Sequence, residues 1–311
     1  MPQDTIGIDV SKDQLDVCRL PEGQRARFDN TAVGYRNLVA WMGEGVARVV
    51  FEPTGPYHGA LEQALSRQGI PLVKINPRQA RRFAEGIGQT AKTDRLDAEL
   101  LARMGMMLRI EPRPAQTQAL WELKELHQAR AALVKERTAV RNRQEGIHLP
   151  LLKRLNADHL RQITHQLVKV EAEIERRIRA DTDLSRRFDI LLSIPGIARL
   201  SAFTLLIEMP ELGSMKAPQV AALTGLAPLV RQSGHWAGHA FIRGGRAPVR
   251  RALYMPALVA VRYNPGLKAK YERFLADGKP FKLAITAVMR NLIVLANALL
   301  KADRPWSPIP A

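Results

Sequence analysis

The chain has 311 residues, 47 of them Lys or Arg against 30 Asp or Glu, for a formal net charge of +17. That length allows two domains with separate cores, and that charge favours a polyanionic partner, either nucleic acid or an anionic membrane surface. One cysteine, Cys18, excludes an intrachain disulfide or cysteine zinc site; no run approaches a membrane-spanning apolar length, and Met1-Pro2-Gln3-Asp4-Thr5 lacks the regions of a signal peptide, so a cytoplasmic protein that binds nucleic acid and no membrane is expected.

Residues 1 to about 115 read as α/β. Ile6, Ile8 and Val10 alternate with other residues, as do Leu15 and Val17, and Ser11-Lys12-Asp13 between them suits a hairpin turn. A short third strand follows around Ala26 to Phe28. Leu38, Trp41 and Met42 have helical spacing before Gly43-Glu44-Gly45 stops the helix. A buried-type strand then runs to Glu52, the Pro53-Thr54-Gly55-Pro56 turn leads to a helix with Leu61 and Leu65, and Leu72 to Ile75 forms another strand. Pro77 opens the next helix, and a last helix carries Asp94 and Asp97 towards Met107, so the order reads βββαβαβα.

From Trp121 to Asp181 the pattern is helical. Leu126, Leu133, Val140 and Ile147 recur at heptad spacing, and Leu160, Ile163, Leu167, Val170 and Ile174 follow a 3-4-3-4 spacing. His148-Leu149-Pro150 separates the two runs, which predicts a long antiparallel helical hairpin, a coiled coil able to set an oligomeric state. Residues 184–311 form a mostly helical third part. Within it, Leu191 to Ala198 followed by Leu200 to Ile207 reads as helix, tight turn, helix, like the helix-hairpin-helix that grips a DNA backbone through main-chain N–H groups.

Four acids carry the chemistry. Asp9 ends the apolar run Ile6-Gly7-Ile8-Asp9-Val10, Glu52 ends Arg48-Val49-Val50-Phe51-Glu52, and Asp94 and Asp97 lie three apart in Lys92-Thr93-Asp94-Arg95-Leu96-Asp97-Ala98. Taken singly, such acids are turn or capping residues. Taken together, two at the ends of neighbouring strands and two on one face of a following helix can converge. Phosphodiester cleavage needs an activated oxygen nucleophile and compensation for charge on phosphorus and the leaving oxygen; divalent cations held by converging carboxylates supply both. Oxygen-only ligands select Mg²⁺ or Mn²⁺ over zinc.

These residues carry a resemblance. The strand and helix order, with an acid in the first strand, one after the fourth and a late helical pair, resembles the RNase H or RuvC-resolvase fold. More closely, Gly7-Ile8-Asp9-Val10-Ser11-Lys12, Glu52-Pro53-Thr54-Gly55-Pro56-Tyr57 and Lys92 to Ala98 resemble the DEDD transposases of bacterial insertion sequences. The likeness continues at Ile194-Pro195-Gly196-Ile197, Leu223-Thr224-Gly225-Leu226-Ala227-Pro228, Ser233-Gly234, Gly244-Gly245-Arg246 and Arg251-Ala252-Leu253-Tyr254-Met255, in order along nearly the whole chain. It implies a RuvC-like domain over 1–115 that binds Mg²⁺ through Asp9, Glu52, Asp94 and Asp97, a helical hairpin over 116–183, and a C-terminal transposase domain over 184–311 whose nucleophilic serine maps onto Ser233. It further implies recombination of element ends with target DNA under a bridge RNA, by homo-oligomers, dimers or tetramers, in which the acids of one subunit face the serine of another.

Ser233 by itself lies in a glycine-rich stretch that reads as a surface turn. Residues 228–273 nevertheless hold nine Lys or Arg (Arg231, Arg243, Arg246, Arg250, Arg251, Arg262, Lys268, Lys270, Arg273) against one acid, Glu272. A serine beside such a field meets a phosphate whose charge is already offset, and could hold a strand end as a phosphoserine ester. Arg243, Arg246, Arg250 and Arg251 are the expected nucleic-acid contacts here, Lys12 and Lys92 those beside the acids; His235 and His239 are candidates for a general acid. Gly86 to Thr93 nearly matches a phosphate-binding loop, but Ala91 replaces its second glycine and the preceding segment reads as helix, which argues against ATP. The competing reading is a metal-dependent nuclease or junction resolvase of the same fold, with water as nucleophile; a non-catalytic nucleic-acid binder is the third.

Overall fold

The computed structural model describes residues 4–53, 55, 57–89, 94–112, 117–230, 232–233, 236–238 and 240–308, except for the side chains of 94–96, 236 and 237. The chain divides into two compact units, residues 1–117 and 118–311.

The first unit is α/β. β1 (Thr5–Val10), β2 (Gln14–Leu20) and β3 (Gln24–Asp29) form an antiparallel meander. Ser11 fixes its first turn, donating from Oγ to the Gln14 carbonyl at 2.8 Å and accepting the Gln14 N–H at 3.1 Å. α1 (Ala32–Met42) starts at Thr31, whose side chain accepts the Gly34 N–H as an N-cap should. β4 (Arg48–Phe51), α2 (Gly59–Arg67), β5 (Leu72–Lys74), α3 (Pro77–Gly86) and α4 (Asp94–Met107) follow. Both helices expected after the last strand, the one from Pro77 and the one carrying Asp94 and Asp97, are present, so the order is βββαβαβαα, one helix longer than βββαβαβα. The sheet runs β3-β2-β1-β4-β5, with β4 parallel to β1 and β5 parallel to β4.

Strand alternation splits the sheet into two faces. Ile6, Ile8, Val10, Leu15, Val17, Val49 and Phe51 pack against Tyr35, Leu38 and Met42 of α1 and Leu61 and Leu65 of α2. Val50, Val73 and Ile75 face the other way, onto Ala80 of α3 and Leu101 and Met104 of α4. Gly7 lets α4 lie directly on β1: a Cβ there would come within 2.0 Å of the Ala98 carbonyl oxygen and 2.5 Å of the Ala102 nitrogen. Further along the helix, a Cβ on Gly105 would stand 2.5 Å from Val50 Cγ2 and 3.1 Å from Thr5 Cγ2. With Gly105 over Thr5 and Ala98 and Ala102 over Gly7, the helix runs against the strand direction. Its first turn, with Asp94 and Asp97, therefore lies towards the Asp9 end of β1.

The second unit opens with the expected helical hairpin, α5 (Gln118–Gln144) and α6 (Pro150–Ala180). Val140 packs on Ile163 and Leu167 midway along it. Arg130 to Glu171 at 2.7 Å and His159 to Glu136 at 3.0 Å mark the antiparallel register. α7 (Thr182–Ser193), α8 (Arg199–Glu208) and α9 (Ala217–Leu223) come next. Four two-residue strands follow, β6 (Pro228–Leu229), β7 (Gln232–Ser233), β8 (Trp236–Ala237) and β9 (Phe241–Ile242). Then come α10 (Ala247–Ala252), α11 (Tyr254–Tyr263), α12 (Pro265–Ala276) and α13 (Phe281–Lys301). Among the described residues α13 alone is long and apolar enough to cross a membrane. Here Ile285, Val288, Leu292, Ile293 and Ala296 make it the core helix of this unit, packed with Phe203 of α8 and Ala257 of α11 in one cluster.

Candidate active site: an acidic strand end and a serine-bearing arm

In the first unit the sheet register lines up acids. Ile8 pairs with Phe51, so the next residues, Asp9 and Glu52, stand side by side on neighbouring strand paths, about 4.8 Å apart in the hydrogen-bonding direction. On the other side of β1, Asp9 pairs with Asp16 of β2, and Asp16 pairs with Arg27 of β3. Paired residues share a face, and Asp9 shares its face with Gly7, which α4 covers. Asp97 adjoins Ala98, whose carbonyl is the atom closest over Gly7. Asp9, Glu52 and Asp97 are all partly buried. Asp94 is the first residue of α4, and its side chain is outside the described set, as are Lys92, Thr93, Thr54 and Pro56.

Among the described residues, no three His, Cys, Asp or Glu side chains form a group that could hold a metal ion. The Asp94 side chain lies outside that set. The donor set fits a hard cation, because every candidate ligand is a carboxylate and neither Cys nor His competes in the row. Lys12 is exposed on the turn that leaves Asp9. The segment before the phosphate-loop look-alike is helix α3, so the strand such a loop requires is missing.

In the second unit Ser233 stands on a nested arm. β6 pairs with β9, and inside them β7 pairs with β8, with Ser233 opposite Trp236. Ser233 is exposed, while Arg231, Gly234, His235 and His239 are outside the described residues. The base of the arm is a contact of glycine on glycine. A Cβ on Gly225 would meet the Gly244 carbonyl oxygen at 2.2 Å, and one on Gly245 would meet the Gly225 nitrogen at 2.1 Å. Gly225, Gly244 and Gly245 also have φ of 69°, 74° and 62°, the left-handed region that suits glycine.

Two of the four arginines expected to meet nucleic acid hold this base together. Arg246 donates to both Glu211 carboxylate oxygens at 2.8 and 2.7 Å and to the Glu208 carbonyl, and its own N–H reaches the Leu223 carbonyl at 2.7 Å. Arg250 donates through Nη1 to the Gly244 carbonyl at 2.6 Å and the Thr224 carbonyl at 3.3 Å. Arg243 and Arg251 are exposed.

The turn between α7 and α8 matches the expected helix, tight turn, helix. Gly196 has φ of 104°, and a Cβ there would come within 2.5 Å of the Pro256 carbonyl oxygen, so α11 packs against the turn itself. Ala198 to Leu200, at the start of α8, remain exposed, with no side-chain cap on the helix. Sequence reading passed over Asp16 and Arg27. The turn register that sets Val10 opposite Leu15 also sets Asp9 opposite Asp16, so that signal was present.

An acid row at the strand ends of an α/β unit, in one chain with a basic helical unit, is an arrangement suited to an enzyme that processes DNA. Comparison with known proteins gives the family. The DEDD transposase model of IS110 elements matches residues 6–151, which hold all four acids, and the transposase model of the IS116/IS110/IS902 family matches residues 188–272, which hold Ser233. The pilin gene-inverting proteins of Moraxella bovis and Moraxella lacunata are each 28% identical to this chain over 98% of both partners. A 42 kDa protein of insertion element IS900 from Mycobacterium paratuberculosis is 31% identical over 144 residues, 44% of this chain and 34% of that protein. The chain belongs to the IS110 family of transposases and is a DNA transposase or recombinase.

Proposed function

We propose that this transposase cuts and rejoins DNA through two chemical groups, the acids Asp9, Glu52, Asp94 and Asp97 and the hydroxyl of Ser233. The observation that carries the reading is the shared row of Asp9 and Glu52 on the sheet face over which α4 begins with Asp94 and Asp97. The sheet order β3-β2-β1-β4-β5, antiparallel for three strands and parallel thereafter, supports an RNase H-like domain of RuvC type. Mg²⁺, or Mn²⁺, bound there would activate the attacking oxygen and offset charge on the phosphate.

The residues of the chain do the remaining work. Asp9, Glu52, Asp94 and Asp97 would hold that cation. Ser233 Oγ forms a bond to phosphorus as the bond from phosphorus to the leaving sugar oxygen breaks, and the hydroxyl proton passes, in net terms, to that oxygen. The phosphoserine ester conserves the bond energy, so rejoining needs no ATP. Exposed Arg243 and Arg251 and the open start of α8, in a helix-hairpin-helix-like setting, position DNA phosphates. The pilin gene-inverting relatives favour inversion or transposition of a DNA segment as the outcome. A bridge RNA as guide, dimers or tetramers as the active form and a cytoplasmic location complete the reading, as the family resemblance implies.

The test is incubation of the protein with element-end DNA, candidate bridge RNA and Mg²⁺, followed by a denaturing gel. The expected product is a protein–DNA adduct that maps to Ser233 and is absent in both Ser233→Ala and Asp9→Asn. Metal-dependent nicking that survives Ser233→Ala would replace this reading with that of a nuclease using water.

A further inference from the structure

The edge of the first unit's sheet beside the acid row carries a second layer of charge. Arg27 donates through Nε and Nη2 to one Asp16 oxygen at 2.9 and 2.8 Å. Two residues back on β3, Arg25 reaches across to Glu99 of α4, which also holds Arg103 one turn further on. The layering is ordered. The carboxylates lie inside, with side chains 12% exposed at Asp16 and 15% at Glu99, and the guanidinium groups lie outside, 48% exposed at Arg27, 50% at Arg25 and 48% at Arg103. Asp16, Arg25 and Arg27 line a groove of about 390 Å³, together with Val17, Ala26 and Ala98.

Salt bridges that served stability alone would not need their cations turned outward in a groove, and half-exposed pairs contribute little to stability. Here the inner carboxylates fix the arginines in place, and Arg27 Nη1 has no partner among the described residues. A planar guanidinium held on one edge offers its other donors to a phosphate with little freedom left to lose. Three arginines against two carboxylates leave a positive surplus. The position is specific as well: Arg27 pairs with Asp16 and Asp16 with Asp9, so the groove lies two strand spacings, about 10 Å, from the acid row, on the same face.

We propose that this groove is a phosphate subsite for the DNA strand held at the acid row, with Arg27 and Arg25 contacting the backbone and Asp16 and Glu99 positioning them. It rests on the reading of the acid row as the cleavage site, and it adds the direction in which the strand continues, across β2 towards the β3 edge rather than across β4.

The experiment uses the full chain, a fluorescent single-stranded DNA, the RNA of the same sequence, and a salt series. Arg27→Gln and Arg25→Gln should each weaken DNA binding several-fold and reduce the slope of log affinity against log salt by about 0.7, the value for one lost phosphate contact on a single strand. Arg27→Lys should restore the slope without the full affinity. Asp16→Asn should lower affinity at an unchanged slope, because the cation remains but is no longer held. Asp9→Asn should keep the binding slope while losing cleavage. Wild-type slopes in both arginine variants, or losses confined to the RNA, would overturn the subsite. Retained cleavage in Asp9→Asn would overturn the acid-row reading instead, whatever the binding shows. Thermal melts followed by circular dichroism check folding, and if Arg27→Gln does not fold, Arg25→Gln decides on the same slope.

Discussion

Asp9 stands on a six-residue strand bonded on both sides within a five-stranded sheet, with a helix pressed on its face; Ser233 stands on a two-residue strand at the end of a nested arm. The first is held by regular secondary structure, in which backbone hydrogen bonds and alternation fix where each carboxylate goes. The second is anchored at its base, through three left-handed glycines, two arginines and the acid Glu211. On the proposed reading, the acids would position a phosphate and benefit from a rigid frame. Ser233 would carry a strand end from one junction to another and benefit from an exposed arm with a firm root. The comparison teaches that this chain supports its two groups to different degrees.

The largest expected effect comes from breaking the rigid side. Gly7→Ala puts a methyl 2.0 Å from the Ala98 carbonyl, so α4 must lift from β1 or the strand must bend. Overpacking of this kind costs about 1–3 kcal/mol, occasionally more. The first unit should melt earlier in calorimetry, and DNA cleavage should be lost along with the register of Asp97 over Asp9. A wild-type melting profile with wild-type cleavage would show that α4 does not hold the acids.

Gly225→Ala probes the arm in the same way. An alanine at φ of 69° costs about 1–2 kcal/mol before its Cβ meets the Gly244 oxygen at 2.2 Å. The expected result is loss of the Ser233 adduct, and with it of cleavage and joining, while the melting transition of the first unit stays where it is in the wild type. An earlier melt of the first unit as well would mean that the two groups are not supported separately. Arg246→Gln is milder. It removes a charge-assisted pair with Glu211 that is partly exposed, worth about 1 kcal/mol after screening, so joining should slow more than the melting temperature falls.

The rigid side was largely legible in the sequence. Alternation in Ile6 to Val10, the Ser11 turn and the apolar run to Phe51 predict the strands on which Asp9 and Glu52 lie, and Pro77 marks a helix start. The same turn register fixed Asp16 opposite Asp9, though its role emerges only once Arg27 is seen to bind it. The arm was not legible. Gly225 and Gly244 to Gly245 are nineteen or more residues apart in the chain, and periodicity carries no trace of a contact between two loops. For the same reason Arg246 and Arg250 read as open cations: a basic stretch in a sequence does not reveal which guanidinium is already bound to an internal carbonyl.

The smallest expected effect lies under the arm. His127 of α5 is buried, its Nε2 is 3.6 Å from Glu208 Oε1, and its Nδ1 has no hydrogen-bond partner among the described residues. Burial, the largest influence, pushes its pKa below the ordinary 6.5; Glu208 opposes that and Arg130 adds to it. The unfolded chain therefore takes up a proton on this histidine before the folded chain does, and stability falls as pH drops below 6.5. His127→Gln removes the titration, so denaturant melts of the two proteins should agree above neutrality and diverge on the acid side, with the variant less sensitive. Because the Glu208 carbonyl also accepts from Arg246, the acid-side loss should appear in formation of the Ser233 adduct before it appears in the melting of the first unit. A wild type that gains stability over His127→Gln as the pH falls would show that this histidine is held charged in the folded chain. In that case the pair with Glu208 would be an ion pair supporting the root of the arm, and joining should instead improve as the pH falls.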